Sequence, residues 1–397
     1  MNAAAGSSPG EGFMRKNKRC GLLALGLMLG WACSQAVMAQ TPSPPAEQPR
    51  KRSPANLEVP GKTEVNEWTV GLAGGLLEGT FIRYAADIAK VLDDGPRLRV
   101  IPLVTFGAVG NVSDLLFLKG VDIAITQSDV LDHFRRELKV PNIEERIHYI
   151  SPLFRSEVHI YARGEFNSLK DLAGRKVAFN TRGSAANLTG QVVFQRLGIE
   201  VEPVFMNNAI ALEKMRSGEI SAVVHVVGKP NDLFAKFKPE PGFHFLPIED
   251  DAQFADYYVP ARLSAEDYPN LIPSGQSVET IAVPTVLAVF NWPTNSDRYR
   301  RVARFIEAYF AKFSQLQQPP FQPKWQEINV AGTVPGWTRY RVAEEILARM
   351  VRKEEPTGEA QLRSQFDTFL ANRATNARMS RREREALFND FLRWRRN

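Results

Sequence analysis

Trp68-Thr-Val-Gly-Leu-Ala-Gly-Gly-Leu-Leu-Glu-Gly-Thr-Phe81 is the stretch whose reading decides the fold. A short strand, Trp68–Val70, leads into a glycine-rich loop, Gly71–Gly79. The loop feeds a helix over Thr80–Leu92, where Phe81, Tyr84, Ala85, Ile88, Val91 and Leu92 share one face at helical spacing. A strand (Leu98–Val104), a helix (Asn111–Lys119), Gly120 and a strand (Val121–Thr126) complete the unit.

The same plan recurs downstream. A strand (Lys176–Asn180) and a loop (Thr181–Gly183) precede a helix (Ser184–Leu197), a strand (Glu200–Phe205), a helix (Ala209–Ser217), Gly218 and a strand (Ser221–Val227). The joints Leu118-Lys-Gly-Val-Asp-Ile-Ala and Met215-Arg-Ser-Gly-Glu-Ile-Ser-Ala share their chemistry, with each glycine suited to a left-handed helix end. Strands alternating with helices predict an α/β fold of parallel βαβ units, and two such units predict two lobes. Ser156–Arg163 and Thr280–Phe290 read as two strands crossing between the lobes, which makes a hinge. Lobe 1 is then 65–155 with 283–350, and lobe 2 is 156–282. A long helix, Ser296–Leu316, carries an apolar stripe of Val302, Phe305, Ile306, Tyr309 and Phe313 and ends at Pro319-Pro320.

Outside the two units the chain changes character. Arg15-Lys16-Asn17-Lys18-Arg19, an apolar run from Gly21 to Trp31 and Val37-Met38-Ala39 form the pattern of a cleaved export signal over 1–39, with cleavage expected before Gln40. Met14, just ahead of the basic cluster, is a candidate true start. Residues 40–64 are proline-rich and polar and read as a disordered linker. Residues 351–397 read as a basic helical extension, in which Arg373 to Arg396 includes eight arginines. No run approaches the roughly 20 apolar residues of a spanning helix. The chain is therefore expected in the periplasm.

The 397-residue chain carries a net charge of +6, and loss of 1–39 leaves 46 basic against 43 acidic side chains. That is no nucleic-acid footprint. Both cysteines, Cys20 and Cys33, fall in the signal segment, so thiol chemistry and disulfides are excluded from the mature chain. Cys33 as a lipid anchor is a minor alternative, since Gly30-Trp31-Ala32 is a poor context for one. His133, His148, His159, His225 and His244 are scattered without metal-ligand spacing, and no metal or cofactor is expected. His225, in a near-continuous apolar strand, reads as a satisfied core histidine.

Ligands of open parallel sheets bind beyond the carboxyl ends of the strands, so the loops there carry the candidates. Glu78, Gly79 and Thr80 start the first helix, and its unpaired N–H groups suit an anion. A plain helix-initiating turn explains them equally well. Thr181, Arg182, Gly183, Ser184 and Ala185 start the matching helix of the second lobe. There Ser184 suits an N-cap and Arg182 a two-pronged grip on a carboxylate, although a loop arginine is more often merely solvated. Asn111, Gln127, Ser128, Val227 and Gly228 complete the expected ligand-binding set. Asp129 suits a helix cap better than an amine. The glycine spacing of Gly71–Thr80 does not match a dinucleotide fingerprint.

These residues together resemble the TAXI solute-binding subunits of tripartite ATP-independent periplasmic (TRAP) transporters. The resemblance runs through Gly71–Thr80, Gly107-Ala-Val-Gly-Asn-Val, Gly120-Val-Asp-Ile-Ala-Ile-Thr-Gln-Ser-Asp, Ser168-Leu-Lys-Asp-Leu-Ala-Gly-Arg-Lys-Val, Gly183-Ser-Ala and Val227-Gly-Lys-Pro, within 68–350. It implies a two-lobed, type II-like periplasmic-binding-protein fold without catalysis. It also implies that the protein captures a small organic anion, a carboxylate or a glutamate-like amino acid, and delivers it to TRAP membrane subunits. Glu78 departs from the family pattern and favours an amine-bearing ligand or a bound cation. The alternatives are the input domain of a periplasmic sensor and an enzyme on the same scaffold.

Overall fold

Glycine places the first strand differently from the sequence reading. In the computed structural model β1 is Thr69–Gly75, so Gly71, Gly74 and Gly75 lie in the strand and not in a loop. A Cβ on Gly71 would sit 1.7 Å from the carbonyl oxygen of Gly120, so the strand can seat there only without a side chain. The structure describes residues 61–354 apart from 239, 250 and 251, with a few further residues between 363 and 388. The expected signal segment, nearly all of the linker and most of the basic extension lie outside the described residues. Helix α1 (Lys62–Glu67) takes in the last residues of the expected linker, and Arg301 donates to the Glu67 carbonyl at 3.0 Å and ties the helix to the fold.

The first lobe continues with α2 (Thr80–Leu92), β2 (Arg99–Val104), α3 (Ala108–Phe117), β3 (Ile123–Gln127), α4 (Val130–Arg136) and α5 (Ile143–Arg146). A 16-residue strand, β4 (Ile147–Ala162), then crosses over. The second lobe holds β5 (Lys176–Ala178), a π-helical turn (Ala186–Gly190) running into α6 (Gln191–Arg196), β6 (Glu202–Val204), α7 (Asn208–Arg216), β7 (Ala222–Val227), α8 (Asp232–Ala235), β8 (His244–Phe245) and β9 (Val259–Ser264). The return strand is β10 (Ser277–Phe290), followed by α9 (Asp297–Leu316) and α10 (Arg341–Glu354).

The strand order is β2-β1-β3-β10-β4-β7-β5-β6, with β8 beside β4 and β9 beside β10. β1 lies parallel to β2 and β3, and β5 lies parallel to β6 and β7. The two crossing strands run antiparallel through the middle. The last part of β10 pairs with β3 and its first part with β9. β4 pairs first with β10 and then, from Glu157 onward, with β7. This is the expected α/β two-lobed fold with a hinge of two crossing strands.

All of β3 and all of β7 are buried, as parallel strands covered by helices on both faces must be. Gly120 and Gly218, at the two helix-strand joints, take φ of 90° and 81°, the left-handed conformation the sequence reading assigned them. α9 packs on α2 and buries Val302, Phe305, Ile306, Tyr309 and Phe310, each worth about 1.5–3 kcal/mol of apolar transfer. Ser296 caps it, its hydroxyl accepting from the Tyr299 N–H at 3.1 Å.

Candidate interlobe binding site

Three helix starts meet between the lobes. Gly79 and Thr80 begin α2, Gly107 and Ala108 begin α3, and Ser184, Ala185 and Ala186 begin the π-helical turn. All of them line one cavity of about 40 Å³. The starts of α2 and of the π-helical turn present N–H groups that have no partner within the helix, together with the positive end of the peptide dipoles, whereas α3 spends the Val109 and Gly110 N–H groups on the Gly183 carbonyl. Phe81, Phe106, Leu76, Val226 and Val227 give the rest of the wall an apolar character, with Asn180 and His225 as further polar members. None of the lining residues is charged.

The expected residues divide into two groups. Gly79, Thr80, Ser184, Ala185 and Val227 line this cavity. The others hold the structure around it. Asn111 is buried in the first lobe, where its amide donates to the carbonyls of Ile125 at 2.6 Å and Gly74 at 3.1 Å and its oxygen accepts from Thr105. Arg182 lies over the Phe205 ring at 4.0 Å. Thr181 donates its backbone N–H to Asn180 Oδ1, and its buried hydroxyl has no partner among the described residues.

Several of these residues join the lobes. Glu78 accepts from the Asn207 side chain at 2.7 Å, and its carbonyl accepts from Asn231 at 3.0 Å. Thr80 donates to the Gly228 carbonyl at 3.3 Å. The Gly183 carbonyl accepts from the N–H groups of Val109 and Gly110, both at 3.1 Å, which seals the seam beside the cavity. The lobes are therefore closed.

The Gln127-Ser128-Asp129 element lies at the seam, where it meets Thr189 and Tyr258 of the second lobe. Ser128 is held through its carbonyl by Trp337 Nε1–H at 2.9 Å. Asp129 occupies the N-cap position of α4, yet its side chain makes no cap bond, contrary to the sequence reading. Its Oδ2 instead accepts from Thr189 at 2.7 Å and Tyr258 at 3.1 Å. Thr189 Oγ1 also lies 3.1 Å from the Gln127 side-chain amide. A hydroxyl has a single proton, so Thr189 donates to only one of these two oxygens at a time, and Asp129 Oδ2 is the nearer.

His225, read from the sequence as a satisfied core histidine, is instead an unsatisfied one, and Asn180 and Phe106 line the cavity without having been expected there. The histidine is buried and lines the cavity, and neither ring nitrogen has a partner among the described residues. Burial pulls its pKa down to about 4, so the imidazole is neutral near neutral pH. An apolar strand gives no local sign that one of its members is left without a hydrogen bond. Among the described residues no three His, Cys, Asp or Glu side chains gather as a metal set, and no helix is long and apolar enough to cross a membrane.

A family model, NMT1-like, matches residues 72–324. The chain belongs to the NMT1-like family. The matched span begins within β1 and ends at Lys324, so it contains every element that lines the cavity. No curated protein matches the chain.

Solved structures with a similar arrangement include three ligand complexes. The effector-binding domain of QuiR in complex with shikimate is 13% identical and covers 62% of this chain and 97% of its own, with a TM-score of 0.37. An ancestral arginine-binding protein bound to arginine is 15% identical, covers 63% and 96%, and has a TM-score of 0.38. The amino acid ABC transporter substrate-binding protein AbpA from Streptococcus pneumoniae, bound to L-arginine, is 10% identical, covers 66% and 97%, and has a TM-score of 0.36.

Proposed function

We propose that the chain is an exported solute-binding protein that closes its two lobes on a small organic anion and delivers it to the membrane subunits of a TRAP transporter, in the manner of the TAXI subunits it resembles. The observation that carries the reading is the meeting of Thr80 and Ser184, helix starts from different lobes, in one cavity. Partial positive charge from helix ends favours a negative ligand group there.

The absence of charged side chains from the lining narrows the ligand. A second carboxylate or an ammonium would be desolvated without a counter-ion, which is strongly unfavourable. A compact monocarboxylate with an apolar body suits the wall better than a glutamate-like zwitterion. In this reading 1–39 is removed before Gln40, and the lobes are 65–155 with 283–350 and 156–282. The mature protein works in the periplasm and needs no cofactor.

A thermal-shift panel tests the reading. The purified mature chain is heated with small monocarboxylates, dicarboxylates and amino acids, each at 5 mM. A ligand present at 100 times its Kd stabilises by about 2.7 kcal/mol. The expected result is stabilisation by a monocarboxylate, lost in Ser184→Ala and weakened in Thr80→Val. Stabilisation only by dibasic amino acids, or an undiminished shift in both variants, would overturn the site.

A further inference from the structure

Asp129 is a carboxyl that is both buried at the seam and bonded across it. It belongs to the first lobe, while Thr189 and Tyr258, its two donors, belong to the second. Both donors use Oδ2, and Oδ1 is buried with no partner among the described residues. A carboxylate held this way has lost water on one oxygen without replacement.

The charged and titratable groups packed around it do not offset that loss. From the second lobe, Arg196 is committed to Asp256 through two bonds of 2.6 and 2.8 Å and to the Gln253 carbonyl at 2.5 Å. From α4, Asp132 is engaged by Arg135 and Arg136. His133 and Glu137 line the same groove of about 290 Å³ that separates α4 from α6, and burial lowers the His133 pKa. Tyr258 carries a phenol whose pKa is raised by burial, so it is a donor throughout the physiological range.

We propose that Asp129 is a proton-linked latch: the lobes close by drawing this carboxyl out of water, and closing takes up a proton there. The idea rests on the hinged, closing reading of the two lobes. Burial pushes the Asp129 carboxyl up to about 6, opposed by the hydrogen bonds from Thr189 and Tyr258. A water-exposed aspartate ionises near pH 3.9. The closed form therefore holds the proton more tightly than the open form, and closure gains as pH falls from about 6 towards 4 and is disfavoured above 6.

The test measures lobe separation in the full chain. Spin labels are placed through Lys119→Cys and Glu219→Cys, both exposed and at the helix-strand joints that precede β3 and β7, with Cys20→Ser and Cys33→Ser. Distances are recorded by electron-electron resonance from pH 8 to pH 4. The expected result is two distances, with the closed-to-open ratio rising about fivefold per pH unit between 6 and 4. Asp129→Asn is expected to abolish that dependence, which also separates Asp129 from His133. Tyr258→Phe removes a donor to the ionised form and is expected to move the midpoint to higher pH, a result that stands even if Asp129→Asn does not fold. A single distance at every pH would overturn lobe closure itself. Two distances with a pH-independent ratio, or an unchanged slope in Asp129→Asn, would overturn the latch alone.

Discussion

Lys324→Met is expected to be among the most damaging single changes outside the cavity. The Lys324 ammonium lies 2.6 Å from Glu157 Oε1 and donates to the Arg155 carbonyl at 3.2 Å, while the other Glu157 oxygen accepts from the Lys229 N–H at 2.9 Å. Side-chain exposure is 13% for Lys324 and 5% for Glu157, so water cannot replace the lost partner. At 2.6 Å and an effective dielectric of 20 the attraction is about 6 kcal/mol, and breaking a buried pair from one side costs about 3–5 kcal/mol.

Burial already raises the Glu157 pKa, and Lys324 is the main group opposing that rise. Without Lys324 the carboxyl shifts further up. A raised carboxyl pKa means the folded state binds the proton more tightly than the unfolded state, so this group favours folding at low pH and disfavours it above the folded pKa. The deficit of the variant is therefore expected to shrink as pH falls. Urea unfolding followed by circular dichroism at pH 5 and pH 8 measures both effects. The double variant Lys324→Met with Glu157→Gln is expected to recover most of the loss. A loss under about 1 kcal/mol, or no recovery in the double variant, refutes the reasoning.

Gly71→Ala is expected to cost about 3 kcal/mol or more, because the new methyl meets the Gly120 carbonyl and β1 must move; the thermal midpoint checks it, and a fall of less than about 2 °C would contradict the close approach. His225→Leu removes a buried polar group with no partner, so stability at pH 7 is expected to stay level or rise while stabilisation by the monocarboxylate falls. The wild-type histidine has a depressed pKa, so the unfolded state binds its proton more tightly and the histidine costs stability as pH drops from 6.5 towards 4, by up to about 3 kcal/mol. The leucine variant is expected to lose part of that slope in unfolding measured across the same range, and an identical slope counts against a neutral, buried His225.

Much of the fold was legible because its signals are local. The apolar face of α2, the left-handed glycines Gly120 and Gly218, and the apolar stripe of α9 each depend on residues within a few turns. The two crossing strands were legible too, although β4 begins at Ile147, nine residues before the expected Ser156. The candidate site was legible only in part. Helix starts announce themselves by composition, which is why Thr80 and Ser184 were found. Arg182 was not separable from a stacked arginine, because Phe205, which it covers, arrives by folding and not by spacing.

By itself, then, the sequence determined the βαβ units, their doubling and the places where helices begin. Propensity, capping and periodicity act over a few residues and need no partner elsewhere. Only the tertiary structure decided which polar groups meet. Asp129 reaches Thr189 across 60 positions and Tyr258 across 129, and Glu157 meets Lys324 across 167. Such pairings follow from how two lobes pack about a hinge, and burial then sets the charge each group carries. The same packing put Gly71 into a strand and left the His225 side chain without a hydrogen bond among the described residues, outcomes that no local pattern encodes.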